Sequence, residues 1–192
     1  MSSATQHQNV KQVKPVVFLD IDDVLCVHRT LNTRQVLAAL AGDETVNADE
    51  VWQQIFHPAA RENLRALDEE FSPTYVISSS WTLHLDQQQL RETFWRTGIG
   101  FVADNLHQVP FTPRDEDSYR LVEIDAWLDT YIVPTLSQAY ATSYLIIDDV
   151  VSGQSLLGSH LEDRTVFCDA WTGFTYPKLE AARRILRRQL KY

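Results

Sequence analysis

Two carboxylates, Asp20 and Asp22, stand two residues apart directly after the apolar run Val16-Val17-Phe18-Leu19. A short run rich in β-branched and aromatic residues reads as a buried strand of a parallel sheet. Open parallel sheets bind ligands beyond the carboxyl ends of their strands, so Asp20 falls where chemistry is done and not where a core is filled. An unpaired buried carboxylate is costly or takes up a proton. Two acids at one strand end therefore suggest a cation between them, unless they only cap the following turn. The ends of the other strands decide between these readings.

Two further apolar runs end in groups of the same kind. Thr74-Tyr75-Val76-Ile77 leads into Ser78-Ser79-Ser80-Trp81, and Tyr144-Leu145-Ile146-Ile147 leads into Asp148-Asp149. In a parallel sheet these ends share one edge. Four carboxylates gathered there repel one another, and a divalent cation removes that cost, with hard oxygen ligands favouring Mg2+. The serines offer hydroxyl and backbone donors to anionic oxygens. Arg120, at the start of a predicted helix, supplies a positive charge. Carboxylates, cation, hydroxyl and arginine together describe a site for a phosphoryl group.

The elements that must position these groups follow from periodicity. Helical pieces are expected over Leu31–Ala41 and Val46–Phe56. His57-Pro58 opens a stronger helix with Ala60, Leu64, Leu67 and Phe71 on its inner face. Leu83, Leu90 and Phe94 mark another helix, closed by Gly98, and Ile99–Ala103 reads as a weak third strand. Asp104–Ser118 carries turn signals that include Pro110 and Pro113. A helix from Arg120 has Leu121, Ile124, Leu128 and Ile132 in phase, and Arg164–Cys168 is the fifth strand. Pro177 opens the last helix, with Leu179, Ala182, Leu186 and Leu190 inward. Strands alternating with helices predict an α/β, Rossmann-like three-layer sandwich with a mainly parallel five-stranded sheet. Val24–Phe56 is a small helical insertion after the first strand, a short lid or flap. A flexible tail over residues 1–14 precedes a single domain over 15–192.

Composition agrees with that picture. The 192 residues are 44% hydrophobic, and one domain of this size can bury roughly 70% of its unfolded surface. A formal net charge of −9 argues against broad electrostatic binding to nucleic acid. Cys26 and Cys168 each adjoin an apolar run and read as buried thiols of a reducing, cytoplasmic compartment. The polar start lacks an apolar targeting core, and no stretch approaches the roughly 20 apolar residues of a membrane span.

On these residues the chain resembles the haloacid dehalogenase (HAD) superfamily, most of whose members are magnesium-dependent phosphatases. The first motif of that superfamily is an apolar strand followed by Asp-x-Asp-x-Val or Thr, matched by Asp20-Ile21-Asp22-Asp23-Val24. The second is an apolar strand ending in Ser or Thr; in a subgroup with a Trp two residues later this selects Ser79, with Ser78 as the fallback. The third is a Lys or Arg upstream of the fourth, here Arg120 in preference to Arg114, which sits in a Pro-bounded loop. The fourth is a strand ending in paired acids, matched by Asp148-Asp149. The resemblance implies that Asp20 is a nucleophile forming an aspartyl-phosphate. It implies Asp22 as general acid and base, and Ser79 and Arg120 as holders of the phosphate. It also implies Mg2+ bound by Asp20, the Asp22 backbone carbonyl, and Asp148 or Asp149.

The same resemblance extends to phosphatase-like domains of RNA-repair proteins, so the expected substrate is a phosphorylated small molecule or a nucleic-acid end. A small insertion after the first motif leaves an open site, which loops such as Asp104–Ser118 would close over a small ester. Trp81 either stacks on a base or fills the core. His28 and Arg29 in the flap either touch substrate or are solvated, and Gly153–His160 is either a substrate-side or an ordinary loop. Arg183, Arg187 and Lys191 form a stripe at i, i+4 spacing. That stripe is either a surface for an acidic partner or a solvated face that complements the helix dipole. A non-catalytic phosphate- or nucleic-acid-binding adaptor and a metal-dependent nuclease are the competing functions.

Overall fold

The computed structural model describes residues 14–27, 30–114, 118–132 and 142–190. The tail over 1–13, His28, Arg29 and Lys191 lie outside the described residues. Five strands, β1 (Val16–Leu19), β2 (Thr74–Ile77), β3 (Leu106–Phe111), β4 (Tyr144–Asp149) and β5 (Thr165–Cys168), make one sheet. Their order is β3-β2-β1-β4-β5, and every neighbouring pair is parallel.

Parallel neighbours need crossovers, and the helices supply them: α1 (Thr33–Leu40), α2 (Ala48–Gln54), α3 (Pro58–Phe71), α4 (Gln87–Arg96), α5 (Gly100–Asp104), α6 (Arg120–Tyr131) and α7 (Tyr176–Leu190). The period-two pattern of the strands decides which helix goes where. Val17, Leu19, Tyr75, Ile77, Leu145 and Ile147 face one side, with Leu64 and Leu67 of α3, Phe94 of α4 and Leu186 of α7. Val16, Phe18, Val76 and Ile146 face the other, covered by Ile124, Trp127 and Leu128 of α6. Phe18 meets Trp127 edge-on at 5.2 Å between ring centroids, a favoured aromatic geometry. The result is the three-layer α/β arrangement expected from the pattern.

The insertion between β1 and α3 carries α1 and α2, each shorter than the periodic stretch that announced it. Asn32 caps α1 in a reciprocal capping box with Gln35, and Asn47 caps α2. Two expectations need correction. Ile99–Ala103 is not a strand: Gly100–Asp104 is the helix α5, and the third strand lies later, at Leu106–Phe111. Pro110 is tolerated there because β3 is an edge strand. Leu83 is 53% exposed, because residues Ser80–Leu83 form a separate 3-10 turn and α4 starts only after its Asp86 cap. Two arginines of the basic stripe on α7 are already spoken for. Arg183 and Arg187 both bond the Glu70 carboxylate of α3, at 2.7 and 2.6 Å. No helix among the described residues is long and apolar enough to cross a membrane.

Candidate active site

Sheet register places the acids. Leu19 of β1 is opposite Ile77 of β2 and Ile147 of β4. One residue further, the Asp20 amide donates to the Ile147 carbonyl at 3.0 Å and the Ser78 amide to the Leu19 carbonyl at 3.0 Å. Asp20, Ser78 and Asp148 are therefore neighbours across three strand ends. The chain leaves central β1 for β2 on one side and later adds β4 on the other, so these residues sit at the topological switch point of the sheet.

Asp20, Asp148 and Asp149 are buried, and each offers a carboxylate oxygen within 4.8 Å of the others. Arg120, at the first turn of α6 and 4% exposed, is aimed into this group. Its Nε donates to Asp148 Oδ2 at 2.6 Å, and its Nη2 lies 3.4 Å from Asp20 Oδ1. Its Nη1 donates to Ser78 Oγ at 3.1 Å and to Glu123 Oε2 at 3.0 Å. Arg114 stays outside, 3.7 Å from Glu123.

Burial and crowding leave their mark on proton affinity. Burial, with Asp148 beside it, pushes the Asp20 carboxyl well above the ordinary range, against the pull of Arg120 and the Ser79 hydroxyl. Burial pushes Asp148 up to about 6; Arg120 opposes this rise and Asp149 adds to it. Burial works against the Arg120 charge, yet Asp20, Asp148 and Glu123 hold its guanidinium above its usual value.

This donor set fits a hard divalent cation. Three buried acids, Asp20, Asp148 and Glu123, pair with one buried arginine, Asp149 lies beside two of them, and Asp20 Oδ2 is buried without a hydrogen-bond partner. An orphaned buried carboxylate oxygen beside two further carboxylates is the arrangement a magnesium ion would complete. Part of Asp149 is already used, since its Oδ1 accepts from the Val151 and Ser152 amides at 2.6 and 3.0 Å.

The remaining sequence candidates divide. Ser79 lies beside Asp20, whereas the Ser78 hydroxyl is occupied by Arg120 and by Thr112, which donates to it at 3.2 Å. Asp22 stands apart from the acid cluster, its carboxylate bonded by Ser80 and Trp81. Trp81 is 1% exposed, so its ring is core, but its indole N–H serves the site. Sequence reasoning missed that link, and it missed Glu123, which holds Arg120 and accepts from Ser118 Oγ at 2.6 Å. Glu123 had a readable signal: an acid one helical turn beyond Arg120, next to the apolar Ile124.

A five-stranded parallel sheet with acids gathered at the carboxyl ends of its two central strands is the architecture of the HAD class. A family model described as the HAD domain in Swiss Army Knife RNA repair proteins matches residues 16–179, and the chain belongs to that family. No curated protein and no solved structure gives a significant match. The family assignment points to phosphatase-type hydrolase chemistry.

Proposed function

We propose that this protein is a magnesium-dependent phosphomonoesterase working through an aspartyl-phosphate on Asp20, with a nucleotide or nucleic-acid end as the phosphate carrier. The observation that carries this reading is the buried Asp20 carboxylate, one oxygen of it unpartnered, facing Arg120 and two further acids. In the first step an Asp20 oxygen attacks phosphorus in line, the bond to the leaving oxygen breaks, and Asp22 gives that oxygen a proton. In the second, Asp22 takes a proton from water, the water oxygen attacks phosphorus, and the bond to Asp20 breaks. Arg120 and Ser79 hold the transferring oxygens. Magnesium, held by Asp20, the Asp22 backbone carbonyl and Asp148 or Asp149, would neutralise the repulsion between an anionic nucleophile and an anionic ester.

The RNA-repair affiliation of the family supports a nucleic-acid end over a metabolite, and the small α1–α2 insertion supports an open site. The buried thiols Cys26 and Cys168 support a reducing, cytoplasmic setting. An acidic partner on α7 has less support, because Glu70 takes two of its arginines.

A single turnover of ³²P-labelled esters, quenched in acid, is the test, on a panel of mononucleotides and oligonucleotides bearing 5′ or 3′ phosphate, with magnesium present. Acid-quenched protein should carry transient, hydroxylamine-labile phosphate on Asp20, and Asp20→Asn should abolish turnover. Phosphate released with no protein-bound phosphate at any time point, and with inversion at phosphorus, would demote Asp20 to a ligand. Phosphate binding without turnover would favour the adaptor.

A further inference from the structure

Asp22 is held from outside the strand that carries it. Its carboxylate meets the 3-10 turn Ser80–Leu83, where Trp81 Nε1 donates to Oδ1 at 2.9 Å and the Ser80 hydroxyl donates to Oδ2 at 3.1 Å. Both carboxylate oxygens are thus engaged, and by donors fifty-eight and fifty-nine residues away in sequence.

Trp81 is itself immobilised. Its indole is buried and lies against Phe56 with 5.7 Å between ring centroids. Its carbonyl accepts from the His84 and Leu85 amides at 3.0 and 2.9 Å. An N–H fixed in this way costs little further ordering when it binds a carboxylate. Asp22, by contrast, lies on a tight turn in which the Leu25 and Cys26 amides converge on the Ile21 carbonyl and Asp23 takes a left-handed φ of 55°. The backbone alone leaves its side chain rotamers to choose from. One alternative is to swing toward Asp20 and Asp148 and become a fourth carboxylate of the acid cluster.

We propose that Trp81 and Ser80 are positioning residues for Asp22. They hold its carboxylate apart from the cation-binding acids and aim it for proton transfer. Both donors are neutral. A neutral donor orients a carboxylate with roughly half the strength of a charged one, so it fixes direction without the firmer grip of an ion pair. Each carboxylate oxygen keeps a second lone pair for the proton in transit. The inference rests on Asp22 being the general acid–base of a reaction centred on Asp20.

The test is burst and steady-state kinetics on two phosphomonoesters, one with an acidic phenol as leaving group and one with a simple alcohol, in Trp81→Phe, Ser80→Ala, Asp22→Asn and Asp20→Asn variants. An alcohol needs its proton during bond breaking; an acidic phenol does not. Trp81→Phe keeps an aromatic ring and removes the N–H. It should lower kcat on the alkyl ester roughly 10–100-fold, a part of the roughly 10²–10⁴-fold that a positioned acid–base group supplies. KM should hardly move, and the burst of phenol release from the aryl ester, which precedes the action of Asp22 on water, should keep its rate within about threefold. Ser80→Ala should show the same pattern in smaller measure, and Trp81→Phe should add little to Asp22→Asn. An aryl-ester burst slowed as much as kcat on the alkyl ester, or full kcat on the alkyl ester in both variants, overturns the proposal. If Trp81→Phe fails to fold, Ser80→Ala alone decides, since its half-buried hydroxyl can be removed without disturbing the aromatic core. Wild-type activity in Asp20→Asn would instead remove the covalent reaction itself, whatever Trp81 does.

Discussion

Arg120 and Glu123 face each other one turn apart on α6, the Arg120 Nη1 donating to Glu123 Oε2 at 3.0 Å with both side chains almost wholly buried. Glu123 is one of three acids that Arg120 reaches, the others being Asp20 and Asp148. Removing the arginine leaves three buried carboxylates uncompensated, a loss of about 3–5 kcal/mol for a broken buried pair. Removing the charge of Glu123 leaves the arginine two partners. Arg120→Ala should therefore lose much more stability in chemical denaturation than Glu123→Gln, whose cost should be about 1–2 kcal/mol. The reverse order would mean that the Arg120 charge is not what holds the acids together.

On the proposed reading, proton and metal compete for the same carboxylates. In the metal-free protein Asp148 is pushed up to about 6 from its ordinary 3.8, and Asp20 is raised as well. Between these values the folded chain binds protons that the unfolded chain has released, so the stability of the metal-free fold should rise as pH falls from about 7 toward 5. Magnesium binding must displace those protons. Thermal melts should show stabilisation by magnesium that is larger at pH 7.5 than at pH 5.5. A metal effect independent of pH would place the ion elsewhere.

Gly153 sits under the acid pair. A Cβ there would lie 2.7 Å from the Asp149 carbonyl oxygen and 3.2 Å from Cβ and Cγ of Asp148. The nearest clash is with backbone, so Asp148 and Asp149 must move. Gly153→Ala should cost about 1–3 kcal/mol of stability, as overpacking does, and should weaken magnesium binding measured by calorimetry. Unchanged affinity would show that the acids tolerate displacement.

Gly173 clasps the turn that follows β1. Its φ is 63°, and a Cβ would lie 2.5 Å from the Val24 carbonyl oxygen, the same oxygen that accepts from the Phe174 amide at 2.9 Å. Gly173→Ala should destabilise by more than about 1 kcal/mol and should open the flap to proteolysis before the rest of the chain. Cleavage spread evenly along the chain would show that the flap does not depend on this contact.

The acids were legible in the sequence because each follows an uninterrupted apolar run: Leu19 then Asp20, Ile147 then Asp148. Arg120 was legible as the start of a periodic helix. The third strand was not, because Ile99, Val102 and Ala103 are all fully buried, and a short stretch apolar on every side carries no period to separate helix from strand. The true β3 was hidden by Pro110, whose presence argues against a strand until the edge position is known. The hold on Asp22 was beyond local reading, since Trp81 reaches it only after β1 and β2 have aligned in register.

The central position of β1 has a consequence for the order in which the molecule matures. Asp20 is made early in synthesis, but its neighbours in the site, Asp148 and Asp149, emerge only with β4, after most of the domain. Strands so far apart in sequence pair slowly, because loop closure must precede the contacts that reward it. A ribosome-bound chain ending before residue 148 should hold Asp20 on an exposed strand edge, without the acids that the proposed ion needs, and such edges invite association with other chains. Assembly of the acid cluster and protection from aggregation thus arrive in a single late event, the docking of β4 against β1.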